Sequence, residues 1–186
     1  REWLRDAWGV NEFGESPADN FLIRGTKYNK GVLLKQLIEL GADSVSDPTQ
    51  AHMVAIDARA PLYDGGICTR IDAVSFGIVV NKNAQRFSDE GEDFWPKRYA
   101  FWGRLVAGQP GQIGYSIIDS KVLGRFMPPV FPGEKADTLE ELAEKLGLDP
   151  SALVQTVSAY NAACKVGTFR SEEHTSELQS QFRISY

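Results

Sequence analysis

Histidine, cysteine and methionine are scarce in this chain of 186 residues, at two of each. Cys68 and Cys164 lie far apart and lack the close spacing of metal-binding pairs, so they are expected to be free thiols in a reducing, cytoplasmic setting. His52 and His174 are too few for a histidine-built metal centre, and no cysteine or carboxylate cluster compensates, so no metal is expected. Basic excess is also missing. Lys and Arg number 20 against 25 Asp and Glu, a net charge of −5, and no basic stripe marks a nucleic-acid partner. No apolar run approaches the ~20 residues needed to span a bilayer. The start, REWLRDAWGV, has neither an initiator methionine nor a signal-peptide core, and reads as sequence from the middle of a longer protein. Residues 108–114, GQPGQIG, lack the paired glycines of a dinucleotide fingerprint.

The C-terminus has a separate origin. Residues 170–180, RSEEHTSELQS, read as the translation of a sequencing-library adapter, and Ile184, Ser185 and Tyr186 match the codons beyond its index. Residues 170–186, His174 included, are therefore expected not to be native and are set aside from the fold.

What is present reads as α+β. Hydrophobic residues make up 42% of the chain, which suits one domain, or one domain plus part of another. Residues 2–8 read as the end of a helix. In residues 29–43, NKGVLLKQLIELGAD, Val32, Leu33, Gln36, Leu37 and Leu40 recur at helical spacing and Gly41 supplies a stop. SVSDPTQ, around Pro48, reads as a crossing between two bodies. Residues 21–26, 51–58, 75–81 and 114–119 read as strands, and residues 96–108 as a helix with Pro96 in its first turn. Thr138 with Glu141 forms a capping box, Gly147 ends that helix, and Asp149 with Pro150 opens the next. Residues 82–99, KNAQRFSDEGEDFWPKRY, mix charge and aromatics too densely for either a surface loop or a core strand.

The chemistry these residues offer on their own is limited. A glycine at a helix start, as in YNKGVLL, lets backbone N–H groups approach a phosphate, although ordinary helix starts look the same. His52 is either a satisfied, partly buried histidine or a donor to a substrate carboxylate or carbonyl. Arg86 and Arg98 are surface charges, unless the surrounding aromatics bury them enough to clamp carboxylates.

Taken together, these segments resemble the fumarate reductase/succinate dehydrogenase flavoprotein superfamily, and within it the FAD-dependent tricarballylate dehydrogenases. The family pattern V-N-x-x-G-x-R-F-x-[ND]-E meets Val80, Asn81, Arg86, Phe87, Asp89 and Glu90, with Ala84 where glycine is usual. FLIRGTKYNKG resembles a flavin-domain segment, and residues 138–164 resemble the family's helical pair. The likeness covers nearly all of residues 1–169.

The resemblance implies that residues 1–47 are the tail of a Rossmann-like FAD-binding domain and residues 48–169 a capping, substrate domain. FAD is the implied cofactor, with Thr26, Asn29 and Gly31 near it. Gln50-Ala51-His52 matches a Gln-x-His whose histidine holds a substrate carboxylate, and Glu90, counted with the same substrate site, is expected to orient the neighbouring arginines rather than touch a polyanion. Arg98, in the context PKRY, matches the proton-transfer arginine. Arg70 matches the arginine of a Glu-x-x-Arg relay whose glutamate position holds Ile67, so Asp64 or Asp72 would substitute. The implied reaction is dehydrogenation of tricarballylate to cis-aconitate, with electrons passing to an acceptor protein or a quinone-linked partner. Two other readings stay open: a fumarate reductase-like or ketosteroid dehydrogenase-like flavoenzyme, and a non-catalytic cap module.

Overall fold

The computed structural model describes residues 2–24, 26–92 and 95–164, with Glu2 and Trp95 described by backbone alone. The expectation for residues 170–186 lies outside the described residues. Five helices, α1 (Glu2–Trp8), α2 (Val32–Glu39), α3 (Trp95–Ala107), α4 (Leu139–Leu146) and α5 (Pro150–Ala163), join two strands, β1 (Gly77–Val80) and β2 (Tyr115–Ile118). The architecture is mixed helix and strand, and no described helix is long and apolar enough to cross a membrane.

The strands pair antiparallel, with Ile78 opposite Ile117 and Val80 opposite Tyr115. Alternation along β1 divides the core in two. Ile78 and Val80 face Leu139, Ala143, Leu148, Leu153 and Val157 of the α4–α5 region. Val79 points the other way, to Val74 and to Trp102 of α3. All four β1 residues are buried, which explains an unbroken apolar run where a half-exposed strand would alternate. The ribbon is tight at Gly77, where a Cβ would stand 2.1 Å from the Ile117 carbonyl oxygen.

The terminal helices form as their sequence dictates. Thr138 Oγ1 accepts the Glu141 N–H at 3.2 Å, and Gly147 takes the left-handed conformation that closes α4. Glu141 returns its carboxylate to the Asp137 N–H at 3.4 Å, one residue before the expected partner. Asp149 caps α5 through the Ala152 N–H at 2.7 Å, with Pro150 in the first turn.

Two expected strands do not form. Residues 21–24 form no strand and lead into a turn, in which the Thr26 N–H donates to the Ile23 carbonyl at 3.3 Å. Residues 51–58 make a single bridge, Ile56 to Arg70, and the Met53 N–H and carbonyl pair instead with Ala100 and Gly103 of α3. Helix α2 forms as expected, yet Val32, Leu33 and Leu37 remain exposed. The GQPGQIG stretch binds the N-terminal segment: the Gly111 N–H donates to the Glu15 carboxylate at 2.9 Å, and Gln112 Nε2 to the Ser16 carbonyl at 2.9 Å.

Candidate active site

The charged, aromatic segment at 82–99 resolves into a lock followed by a helix. Asn81 closes a turn by accepting the Asn83 and Gln85 N–H groups on Oδ1, at 2.9 and 3.1 Å. Ala84 sits inside that turn at φ 56°, fully buried. A left-handed backbone at this position accounts for the glycine of the family pattern. Arg86 then reaches Glu90 through Nε, at 3.1 Å, and through Nη2. Glu90 Oε1 also accepts the Val79 N–H at 2.7 Å, and the Arg86 guanidinium lies 4.7 Å from the Tyr160 ring centre. Burial, then the neighbouring Cys164 and Glu90, push the Tyr160 hydroxyl up to about 12. Phe87 stacks on Trp102 at 5.8 Å. The motif therefore ties β1, α5 and α3 together, and Glu90, at 4% exposure, serves that lock.

Helix α3 carries the next layer. The Met53 N–H donates to the Ala100 carbonyl at 2.7 Å, and the Gly103 N–H donates to the Met53 carbonyl at 3.0 Å. This backbone exchange seats residues 50–54 directly on the helix. Only glycine permits it, since a Cβ on Gly103 would lie 2.7 to 2.9 Å from the Met53 carbonyl and the Val54 nitrogen. Gln50 Oε1 accepts from Arg104 Nη1 at 2.8 Å. The His52 ring meets Tyr99 edge-on with centroids 5.3 Å apart. Arg70 lies over the same tyrosine, its guanidinium 4.5 Å from the ring centre. The Asp57 N–H to the Thr69 carbonyl, 2.8 Å, and the Ile56–Arg70 bridge carry Arg70 there.

Asp72 takes two edges of Arg70, at Nε and, at 2.8 Å, at Nη2. That hydrogen bond holds the Arg70 guanidinium above its ordinary range, against burial. Of the two carboxylates proposed for the relay, Asp72 is the one in contact with Arg70. Asp64 instead accepts from the Thr69 hydroxyl and from the Gly66 N–H, and both hold it below the usual carboxylate range. Ile67 is exposed.

The structure thus gathers Gln50, His52 and Arg70 around α3. Arg98, one position before Tyr99, is mostly buried and pairs with Glu92. Tyr99, Arg104 and Glu92 were not singled out from sequence. The helical register of 96–108 together with Gln50-Ala51-His52 held the signal for the first two, but their partners lie far away along the chain.

The residues expected near a cofactor belong to the segment that leads into α2. Thr26 Oγ1 accepts the Tyr28 N–H at 3.1 Å. Gly31 caps α2 at φ 73° with open space where a side chain would stand. Tyr28, Asn29, Gly31 and the first residues of α2 line a hollow of about 370 Å³. A left-handed glycine at a helix start beside such a hollow fits one phosphate group of a dinucleotide; the hollow does not hold a whole FAD.

No protein-family model matches the chain. In sequence it is similar to 4-oxocyclohex-2-ene-1-carboxylate 5-dehydrogenase of Sinomonas cyclohexanicum, at 29% identity over 48% of this chain and 18% of that protein. In structure it is similar to 3-ketosteroid delta1-dehydrogenase of Sterolibacterium denitrificans, with a TM-score of 0.57, 20% identity, and coverage of 87% of this chain and 31% of that one. The chain therefore spans less than a third of either relative, and it shares its fold with a segment of a dehydrogenase.

Proposed function

We propose that this chain is part of an FAD-dependent dehydrogenase that introduces a carbon–carbon double bond into a small substrate bearing a carboxylate. The observation that carries the reading is the seating of Gln50-Ala51-His52 on α3, which sets His52 beside Tyr99 and Arg70. Two carboxylate-binding side chains thereby flank one ring. The similarity to two dehydrogenases supports the reaction class.

Bound FAD supplies the hydride acceptor. The rest falls to this chain's residues. One substrate carbon loses its hydrogen as hydride; its neighbour loses a proton to a base, and the electrons left behind form the double bond. Removing that proton puts negative charge on the adjoining carboxylate or carbonyl. His52, which is exposed, and Arg70, which is partly buried, are hydrogen-bond donors placed to stabilise that charge. Because Asp72 holds Nε and Nη2 of Arg70, a substrate would meet the guanidinium at Nη1. Asp72 is the carboxylate that takes the place of the relay glutamate.

Arg98 is the proton-transfer residue by resemblance. Tyr99 is a second candidate: its ring contacts both His52 and Arg70, and a phenol hydroxyl can pass a proton. Near-normal flavin reduction in Arg98→Lys and Arg98→Gln, with a large loss in Tyr99→Phe, would assign the step to Tyr99; the opposite pattern assigns it to Arg98.

Tricarballylate, oxidised to cis-aconitate, is the first substrate reading. A cyclic keto-acid is the second, favoured by the activity in the name of the Sinomonas relative. Electrons would leave to an acceptor protein or a quinone-linked partner. The test is anaerobic mixing of the intact flavoprotein with tricarballylate, with 4-oxocyclohex-2-ene-1-carboxylate and with a 3-ketosteroid. Bleaching of the flavin by either acid supports the proposal; bleaching by the steroid alone, or by none, overturns it.

A further inference from the structure

We propose that Gln50 and Arg104 form a positioning pair that sets the place of His52. The inference rests on the carboxylate-dehydrogenase reading of the site. Its basis is the allocation of the Gln50 amide. Arg104 Nη1 donates to Oε1 at 2.8 Å, across 54 residues of chain. A guanidinium only donates, so it fixes the amide with its oxygen toward α3 and its NH2 turned away. The nearby Asp47 carboxyl is held below the usual carboxylate range, first by the Thr49 hydroxyl and N–H. Asp47 also closes the local turn by accepting the Thr49 N–H at 2.8 Å on Oδ1, while its carbonyl accepts the Gln50 N–H at 3.0 Å.

The consequence falls on His52. It lies two residues after the Gln50 contact and one before Met53, whose backbone exchanges hydrogen bonds with Ala100 and Gly103. The tertiary contacts on both sides therefore come from one helix segment, residues 100–104. Cutting the first leaves the second in place, so residues 50–52 become a free arm on a fixed base. The imidazole then loses its fixed place at the Tyr99 edge without loss of the fold.

The experiment has two readouts in the intact flavoprotein. The first is substrate-free: His52 ring-proton NMR shifts, which sense the Tyr99 ring current, in Gln50→Ala, Arg104→Gln and Arg104→Lys. The expected result is loss of that shift in the first two and partial retention with lysine, at unchanged denaturation midpoints. The second is the Kd for the reducing carboxylate, read from the flavin spectrum. Both disruptive variants should weaken it about tenfold or more. The double variant should be no weaker than either single one, and neither should matter once His52→Ala is present. An unchanged ring shift overturns the positioning role. A Gln50→Ala effect that persists in the His52→Ala background also overturns it, because Gln50 then touches substrate. Failure of the underlying reading has its own mark: ring shifts respond as expected, but no carboxylate perturbs the wild-type flavin. That result overturns the link to substrate.

Discussion

Replacing Gly103 with alanine puts the seating of the Gln-x-His segment under direct stress. In the helix alone the change is favourable by about 1 kcal/mol, since alanine outranks glycine in helix propensity. The docked backbone reverses the sign. The new Cβ would stand 2.7 Å from the Met53 carbonyl carbon and 2.9 Å from the Val54 nitrogen, and backbone atoms cannot swing aside as a side chain would. Two outcomes are open to the chain. It can hold the contact and accept overpacking strain of about 1–3 kcal/mol. Alternatively, residues 50–54 lift away and forfeit the two Met53 hydrogen bonds, at about 1 kcal/mol each. After the propensity gain, Gly103→Ala is expected to destabilise by about 1 kcal/mol and to speed amide exchange at Met53. Urea denaturation followed by fluorescence and residue-resolved hydrogen exchange would read both. A variant as stable as the parent or more so, with Met53 exchanging no faster, would refute the claim that this segment is seated on α3.

Other consequences concern the lock and its pH limits. Arg86→Leu leaves the Glu90 carboxylate buried without its cation, so a loss of about 3–5 kcal/mol is expected in denaturant unfolding. Arg86→Leu with Glu90→Leu should lose less than Arg86→Leu alone; equal or greater loss would show that the pair is not the lock. Tyr160, held protonated by burial to about pH 12, contributes stability that is fully present below its ordinary value near 10 and is lost as pH rises from there to about 12. The loss across that window is at most ~3 kcal/mol. Tyr160→Phe should flatten the alkaline limb of the stability curve, and a limb of unchanged slope in that variant would contradict the assignment.

Much of the C-terminal half could be read from sequence, because its signals are local. Thr138, Gly147, Asp149 and Pro150 each act on residues within a turn of themselves, so the bounds of α4 and α5 follow from side-chain chemistry nearby. The apolar run of β1 was legible for the same reason. Residues 51–58 were not. Their composition suits a strand, but their hydrogen-bond partners lie on a helix some 50 residues later, and no local pattern announces that. The site shows the same division. Gln50, His52 and Arg70 were identified from motif, and they do meet around α3. Glu90 was expected to orient an arginine; that the arginine is Arg86, while Arg98 takes Glu92, depends on where the chain turns after Asp89. Tyr99 gained its place between His52 and Arg70 from helical register and tertiary docking together. Ala84 is an instructive middle case: the departure from glycine was visible in sequence, and its reason, a positive φ, only in the structure.

The central claim is that this cluster recognises a carboxylate during dehydrogenation. The most direct measurement is the anaerobic rate of flavin reduction in the intact protein by its reducing carboxylate substrate, compared with that substrate's methyl ester. The account predicts rapid bleaching by the acid and, by the ester, a rate lower by about a hundredfold or more, since the ester gives His52 and Arg70 no anion to hold. Equal rates for acid and ester would contradict it.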